Sequence, residues 1–357
     1  VTAGVAHPER ESARAGTSKH ARATHEYEVF MQDHYIGSLD IGGTKIAAVV
    51  AGEQGPLARV TAPTPKEGDH RALPLKGMEL LRMACSQAGI EPDLVRSVGV
   101  ASCGPFVHED GLIALSSPNI CGAGRNAPDL PNDWNTVPLE RVLRERYAEV
   151  AIENDCVAAL AGERAFGAVQ DEPNCVYVTW STGVGFGLCV DGHLLRGKNG
   201  NAGHAGHMLM SETDQALCGC GNRGDLEGLI SGRNVANRLN MPAAELFNAA
   251  RDGSVDAREA AETAARRFGR ALYNLAATLD TRRFVIGGSV WVHHGDWLAP
   301  LVRAEIEQRL PALTAGVTIS SSGLGGVVTD VGALSLVLPQ AWTPHWRTTS
   351  PWERLKT

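Results

Sequence analysis

Four short stretches of this 357-residue chain gather acids, histidines, cysteines and paired glycines at spacings that could do chemistry. In Asp40-Ile41-Gly42-Gly43-Thr44-Lys45, a strand ending in Asp runs into two glycines. Such a turn lets the backbone approach an anion and aim its N–H groups at it. Asp40 could act on phosphates only through Mg2+ or water, because a bare carboxylate repels them. Thr44 and Lys45 supply a donor and a positive charge. A plain hairpin accounts for the glycines but not for the Asp and Lys together. A second turn of this kind is Ser181-Thr182-Gly183-Val184-Gly185-Phe186-Gly187. Two facing glycine turns suit a nucleotide whose phosphates lie between two domains. Neither is a P-loop, which needs a Gly-Lys-Ser/Thr ending and a helix, and strands rather than helices follow both turns.

The third stretch, Glu153-Asn154-Asp155, sits where a strand gives way to a helix. Asp is a favoured N-cap there. Equally, Asp155 could take the proton that an alcohol must lose when it attacks a γ-phosphate. The fourth runs from Gly203-His204-Ala205-Gly206-His207 to Cys218-Gly219-Cys220 and on to Glu227. His207, Cys218 and Cys220 are ligands of the kind zinc prefers, and the glycines allow a tight loop around an ion. Two reduced cysteines in a surface loop are the plain alternative.

The elements that must carry these residues repeat. Tyr35–Ile41, Ile46–Ala51 and Leu57–Thr61 read as strands around the first glycine turn. Cys175–Trp180, Phe186–Val190 and His193–Leu195 read the same way around the second, with Asp191-Gly192 as a hairpin signal. Two such units suggest a duplicated domain, although glycine turns between strands are common. Between them the sequence predicts helices over 73–89, 139–146 and 155–166, and strands over 97–101 and 150–152. After residue 230 it is mainly helical. An apolar stripe runs from Ala257 through Phe268 to Leu279 at helical spacing, and a buried strand over 284–286 enters Gly287-Gly288.

Composition bounds the rest. The length suits two domains, and a net charge of −7 argues against a nucleic-acid partner. No run approaches the apolar length needed to span a bilayer, so no membrane partner is expected. Residues 1–33 have no apolar signal core and read as a disordered extension. Eight scattered cysteines without an export signal point to a cytoplasmic, disulfide-free chain.

From Tyr35 to Leu338 the chain resembles the ROK family (repressors, open reading frames, sugar kinases) within the actin and hexokinase superfold. The likeness rests on Asp40–Lys45, Gly104-Pro105, Glu153–Asp155 with Ala158 and Ala159, Thr182–Gly187, His204–His207 and Cys218–Glu227, in that order. It implies an α/β fold of two ribonuclease-H-like domains with ATP and Mg2+ in the cleft. The expected division is an N-terminal domain over 34–153 with a returning helix near 330–340, a C-terminal domain over 154–329 and a tail over 341–357. Asp155 matches the catalytic base. Gly104, Asn119, Asn154, His204, His207 and Glu227 match positions around a polyol substrate, and Gly288 matches one over the adenosine. His207, Cys218, Cys220 and Asp225 match a structural zinc site, and a homodimer is implied.

Three positions depart from the family pattern. Ser181 replaces a glycine, Asp225 a zinc-ligating Cys, and His204 a Glu that accepts from sugar hydroxyls. Carboxylate oxygen still suits zinc, with weaker affinity expected. An imidazole N–H can also donate. His204 therefore tilts the expected acceptor towards a sugar-like polyol with a carbonyl, an amine-derived group or a missing hydroxyl at that end, such as a C7 cyclitol of valiolone or valienol type phosphorylated on its primary 7-hydroxyl. A hexose or amino-sugar 6-kinase is the alternative. The non-enzyme alternative is a sugar-responsive repressor, opposed by the lack of a second amphipathic helix or basic recognition face before Tyr35, or a sensor, opposed by the retained Asp40, Asp155 and both glycine turns.

Overall fold

The computed structural model describes residues 34–122, 130–131 and 133–356, so the extension expected over 1–33 lies outside the described residues. β1 (Tyr35–Ile41) and β2 (Lys45–Gly52) are apolar along most of their length, as strands covered on both faces must be. They pair antiparallel around the first glycine turn, with Asp40 opposite Ala47. β3 (Gly55–Pro63) extends that meander. β4 (Val95–Ser102) joins β1 in parallel, β5 (Phe106–Glu109) and β6 (Leu112–Leu115) make a separate hairpin, and β7 (Glu149–Asn154) joins β4 in parallel. The first sheet therefore runs β3-β2-β1-β4-β7.

The second sheet repeats this plan. β8 (Cys175–Trp180), β9 (Val184–Val190) and β10 (His193–Leu194) fold back antiparallel around the second glycine turn. β11 (Arg283–Gly287) and β12 (Thr318–Ser321) then add in parallel, giving β10-β9-β8-β11-β12. Strand order and direction agree between the sheets, as a duplicated unit requires.

The helices follow their apolar spacing. α1 (Ala72–Ala88) buries Leu73, Gly77, Leu80, Leu81 and Ala84, and ends where the N–H of left-handed Gly89 meets the Cys85 and Ser86 carbonyls. α2 (Leu139–Leu143) stops three residues short of the expected 146. α3 (Asp155–Phe166) begins directly at the end of β7. α4 (Leu226–Ile230), α5 (Gly232–Arg238) and α6 (Ala243–Arg251) lead into α7 (Val255–Leu279), whose predicted stripe is buried at Ala257, Ala261, Ala264, Phe268, Leu272 and Leu275. α8 (Ser289–Glu307), α9 (Pro311–Thr314), α10 (Val328–Ser335) and α11 (Thr343–Thr349) complete the set.

Three apolar clusters result. One packs the second sheet on α7 around Trp180, Phe268 and Phe284. Another packs the first sheet on α1 around Leu39, Leu80 and Val100. The third lies between the sheets and draws Ile36 and Val49 from one, Tyr177 and Val285 from the other, with Leu160 of α3 and Val331 and Leu334 of α10. At the crossing of α3 and α10 a methyl on Gly332 would meet the Ala158 carbonyl oxygen at 2.2 Å, so only glycine permits this approach. The expected division at 153/154 falls at the β7–α3 junction, and α10 packs back on β1 and β4. The segment expected as a tail contains α11, and its Trp342, Trp346 and Trp352 are buried in the third cluster. None of the eight cysteines is paired in a disulfide. No helix among the described residues is long and apolar enough to cross a membrane.

Candidate active site

A cavity of about 730 Å3 opens where the C-terminal ends of β4 and β7 face the second glycine turn and the 203–234 region. That volume suits a small polar ligand together with part of a second one. It gathers Gly104, Asn119, Asn154, Asp155, Ser181, Thr182, Gly183, His204, His207, Cys220 and Glu227, residues between 104 and 227 in sequence. Asp40, Gly42, Gly43, Thr44, Lys45, Cys218, Asp225 and Gly288 do not line it. The first glycine turn flanks it instead, since a methyl on Gly43 would touch Asn119 at 3.0 Å. Gly288 caps α8 at φ 87°, against the backbone of Trp180.

The helix-cap reading of Asp155 needs correction. Asn154 is the N-cap of α3, its Oδ1 accepting from the Cys156 N–H at 3.0 Å, while Asp155 is the first helical residue. Asp155 Oδ1 shares that donor at 2.8 Å. Burial, with the Asp40 charge nearby, pushes the Asp155 carboxyl up from 3.8 to about 6. Burial also raises Asp40, opposed by the hydroxyl of Thr329, which donates to Asp40 Oδ2 at 2.8 Å. An acid of this kind is ionised at neutral pH yet more basic than a surface Asp, as proton abstraction from an alcohol requires.

His204 contradicts its sequence-based expectation. Its Nδ1 lies 2.9 Å from the Asn201 carbonyl oxygen, which can only accept, so Nδ1 carries the proton. Burial holds the ring below the usual histidine range, favouring the neutral form. Nε2 is then a bare acceptor, pointing at Gly104, where an added methyl would lie 2.8 Å away. The donor on which the carbonyl argument relied is already used inside the protein.

His207 Nδ1 faces Asp225 Oδ2 at 3.1 Å, Cys220 Sγ at 3.5 Å and Cys218 Sγ at 3.7 Å. Cys220 Sγ lies 3.6 Å from Asp225 Oδ2. Zinc bonds of about 2.0–2.3 Å give tetrahedral edges of roughly 3.3–3.8 Å, close to these separations, and the four donor atoms all lie within 4.8 Å of one another, so the set could hold such an ion. Asp225 serves twice, because its Oδ1 also caps α4 by accepting from the Gly228 N–H at 2.7 Å. Two residues further, on α4 itself, Glu227 Oε2 accepts from Val184 N–H of the second glycine turn at 2.9 Å. The cysteine loop, the glycine turn and the cavity wall thus share one short helix.

The sequence reading missed Asn135, Arg233 and Asn234, which also line the cavity. Ser231 caps α5 and the Gly232 N–H donates to the Ser181 carbonyl, which brings Arg233 beside the second turn. The Ser231-Gly232-Arg233 run, a cap followed by glycine and a cation, was the available signal.

Two sheets of one topology, with a cavity holding a glycine turn and a buried carboxylate, define the class as a two-lobed phosphotransferase. The ROK family profile matches residues 36–339, and the chain belongs to that family. It is 31% identical over 301 residues to a glucokinase of Aeropyrum pernix, covering 77% of this chain and 88% of that one. It is 32% identical over 270 residues to an N-acetylmannosamine kinase of Escherichia coli, covering 72% and 84%. A ROK family glucokinase from Streptomyces griseus, solved with glucose and AMPPNP, superposes with a TM-score of 0.64 at 27% identity, covering 85% and 98%. The chain is an ATP-dependent sugar kinase with an alcohol acceptor.

Proposed function

We propose that this kinase transfers the γ-phosphoryl group of ATP to the primary hydroxyl of a hexose or N-acylated amino sugar. The observation that carries the reading is His204, which lines the cavity with Nδ1 engaged by the Asn201 carbonyl and so leaves Nε2 to accept from a substrate hydroxyl. The sugars named for the relatives above belong to this class.

In the reaction proposed, the sugar lies between Gly104, Asn119, Asn154, His204, His207 and Glu227, with its primary hydroxyl at Asp155. Asp155 takes the hydroxyl proton while the oxygen bonds to the γ-phosphorus and the bond to the ADP oxygen breaks. The two glycine turns receive the phosphates through the N–H groups of Gly43, Thr44, Thr182 and Gly183, those of Gly42 and Ser181 being given to the Lys45 and Gly183 carbonyls, with Gly288 over the adenosine. Mg2+ bound near Asp40 would neutralise phosphate charge. Closure of the cleft excludes water as a competing nucleophile. Zinc on His207, Cys218, Cys220 and Asp225 would hold the loop that carries Glu227, a structural role. The expected assembly is a homodimer, on the family likeness alone.

A second reading has one observation in its favour. A neutral imidazole nitrogen accepts one hydrogen bond where a carboxylate accepts several. A C7 cyclitol with fewer hydroxyls at that end would satisfy it too. A screen of ADP release over glucose, N-acetylmannosamine and C7 cyclitols, with the product's phosphate located by NMR, tests both. Turnover of the hexoses at the primary hydroxyl supports the proposal, and turnover of cyclitols alone moves the assignment to the second reading. No turnover of any primary alcohol sinks both. Metal analysis is expected to find one zinc per chain, and chelation to lower the melting temperature and weaken sugar binding. A metal-free protein of unchanged stability would remove zinc from the account.

A further inference from the structure

The segment after β10 crosses the cleft from the second sheet to the first. Near its start, the Arg196 guanidinium pairs with Glu153 of β7, adjacent to Asn154 and Asp155. The Ala202 N–H donates to the Arg196 carbonyl at 2.9 Å, closing the segment into a compact loop. In its middle, Asn201 Oδ1 accepts from the Phe106 N–H and Asn201 Nδ2 donates to the Phe106 carbonyl, each at 2.7 Å. One amide thus satisfies both backbone polar groups of Phe106, and only one orientation of that amide can do so. Phe106 lies two residues beyond Gly104, the backbone that His204 Nε2 faces. The carbonyl that holds His204 Nδ1 belongs to the same Asn201.

We propose that Asn201 is a positioning residue for acceptor selection: its side chain latches the 195–204 loop onto Phe106 across the cleft, and its carbonyl fixes the His204 ring with Nε2 as an acceptor beside Gly104. This rests on the sugar-kinase reading of the cavity given above. Asn201 acts through His204. With the latch released, the ring can turn or exchange tautomers and present a donor where the substrate hydroxyl needs an acceptor. The sugar end of the cavity loses definition, while the phosphate end, built on the two glycine turns, keeps its own hydrogen bonds.

The test compares full-length wild type with Asn201→Ala, Asn201→Asp, His204→Ala and the Asn201→Ala/His204→Ala double variant, all checked for folding by thermal unfolding. Asn201→Asp keeps the acceptor for the Phe106 N–H but sets a carboxylate against the Phe106 carbonyl, so it does not rescue. Asn201→Ala is expected to raise KM for the sugar about tenfold, the effect of one good hydrogen bond, with KM for ATP moving less than about twofold. In the His204→Ala background the same change should add little, because the two act as a unit. Imidazole 15N spectra, with the His204 signals assigned by their loss in His204→Ala, should show one tautomer protonated at Nδ1 in wild type and a mixture in Asn201→Ala. A wild-type His204 protonated at Nε2 overturns the proposal. So do an unchanged tautomer in the variant, parallel increases in both KM values, or additive effects in the double variant. If wild type turns over no hexose, the functional reading fails, and the nitrogen spectra still decide the role of Asn201.

Discussion

Asp155 keeps its proton up to about pH 6 because it is buried and shares the cleft with the Asp40 charge. The base form required for transfer is therefore lost on acidification through that value. The account expects kcat/KM for the sugar to fall about tenfold per pH unit below roughly pH 6. A profile flat down to the ordinary carboxylate range would remove Asp155 as the titrating base. The same shift affects stability. The folded chain binds this proton more tightly than the unfolded chain, so the ionised carboxylate is destabilising above about pH 6, and that penalty fades as pH falls towards 3.8. An amide at this position carries no such charge, so Asp155→Asn should stabilise the fold by about 1–3 kcal/mol at neutral pH while removing activity. Thermal unfolding at two pH values checks both signs.

At the scale of elements, the piece that aims Asp155 is α3, and Glu163 pins its far end. This fully buried carboxylate accepts from the N–H groups of Ala168 at 2.7 Å and of Gly323 and Leu324 at 3.1 Å, and from the Ser322 hydroxyl. The 322–324 loop leads into α10, whose Thr329 donates to Asp40. One buried acid thus joins the helix that begins at Asp155 to the helix behind the first glycine turn. Glu163→Ala leaves several buried donors unpaired and should cost about 3 kcal/mol or more, read from denaturant unfolding. A loss under about 1 kcal/mol would mean that water replaces the carboxylate and that the pin is dispensable. None of this was legible in the sequence. Glu163 and Gly323 are separated by 160 positions and nothing local marks the pair. The strand–turn–strand units, α1 and α7 were legible because period and punctuation are local properties. Both glycine turns and Asp155 could be read for the same reason. His204 was visible as a residue but misjudged in polarity, because its tautomer depends on the carbonyl at Asn201.

At the scale of the whole molecule, two sheets of one topology clamp α3 and α10 between them, and Asp155, the proposed base, stands where β7 passes into α3. The C-terminal segment closes it. Trp346 is buried in the middle cluster and its Nε1–H donates to the Glu53 carbonyl at 2.9 Å, while Arg347 pairs with Asp171 beyond the end of α3. Trp346→Ala should cost about 3–5 kcal/mol, the usual consequence of emptying a large aromatic site, and lower the melting temperature accordingly. An unchanged melting temperature would make the segment the simple tail that its position after the family match suggested.

Phosphoryl transfer from ATP to a sugar hydroxyl, with Asp155 as the proposed base, stands or falls on the Asp155→Asn variant. With wild type, ATP and a hexose should yield ADP and a sugar phosphate esterified at the primary hydroxyl. The variant should lose about a thousandfold or more in kcat while binding nucleotide within about twofold of wild type. A variant that still transfers phosphate at a comparable rate, or one that folds but no longer binds nucleotide, would contradict the role given to Asp155.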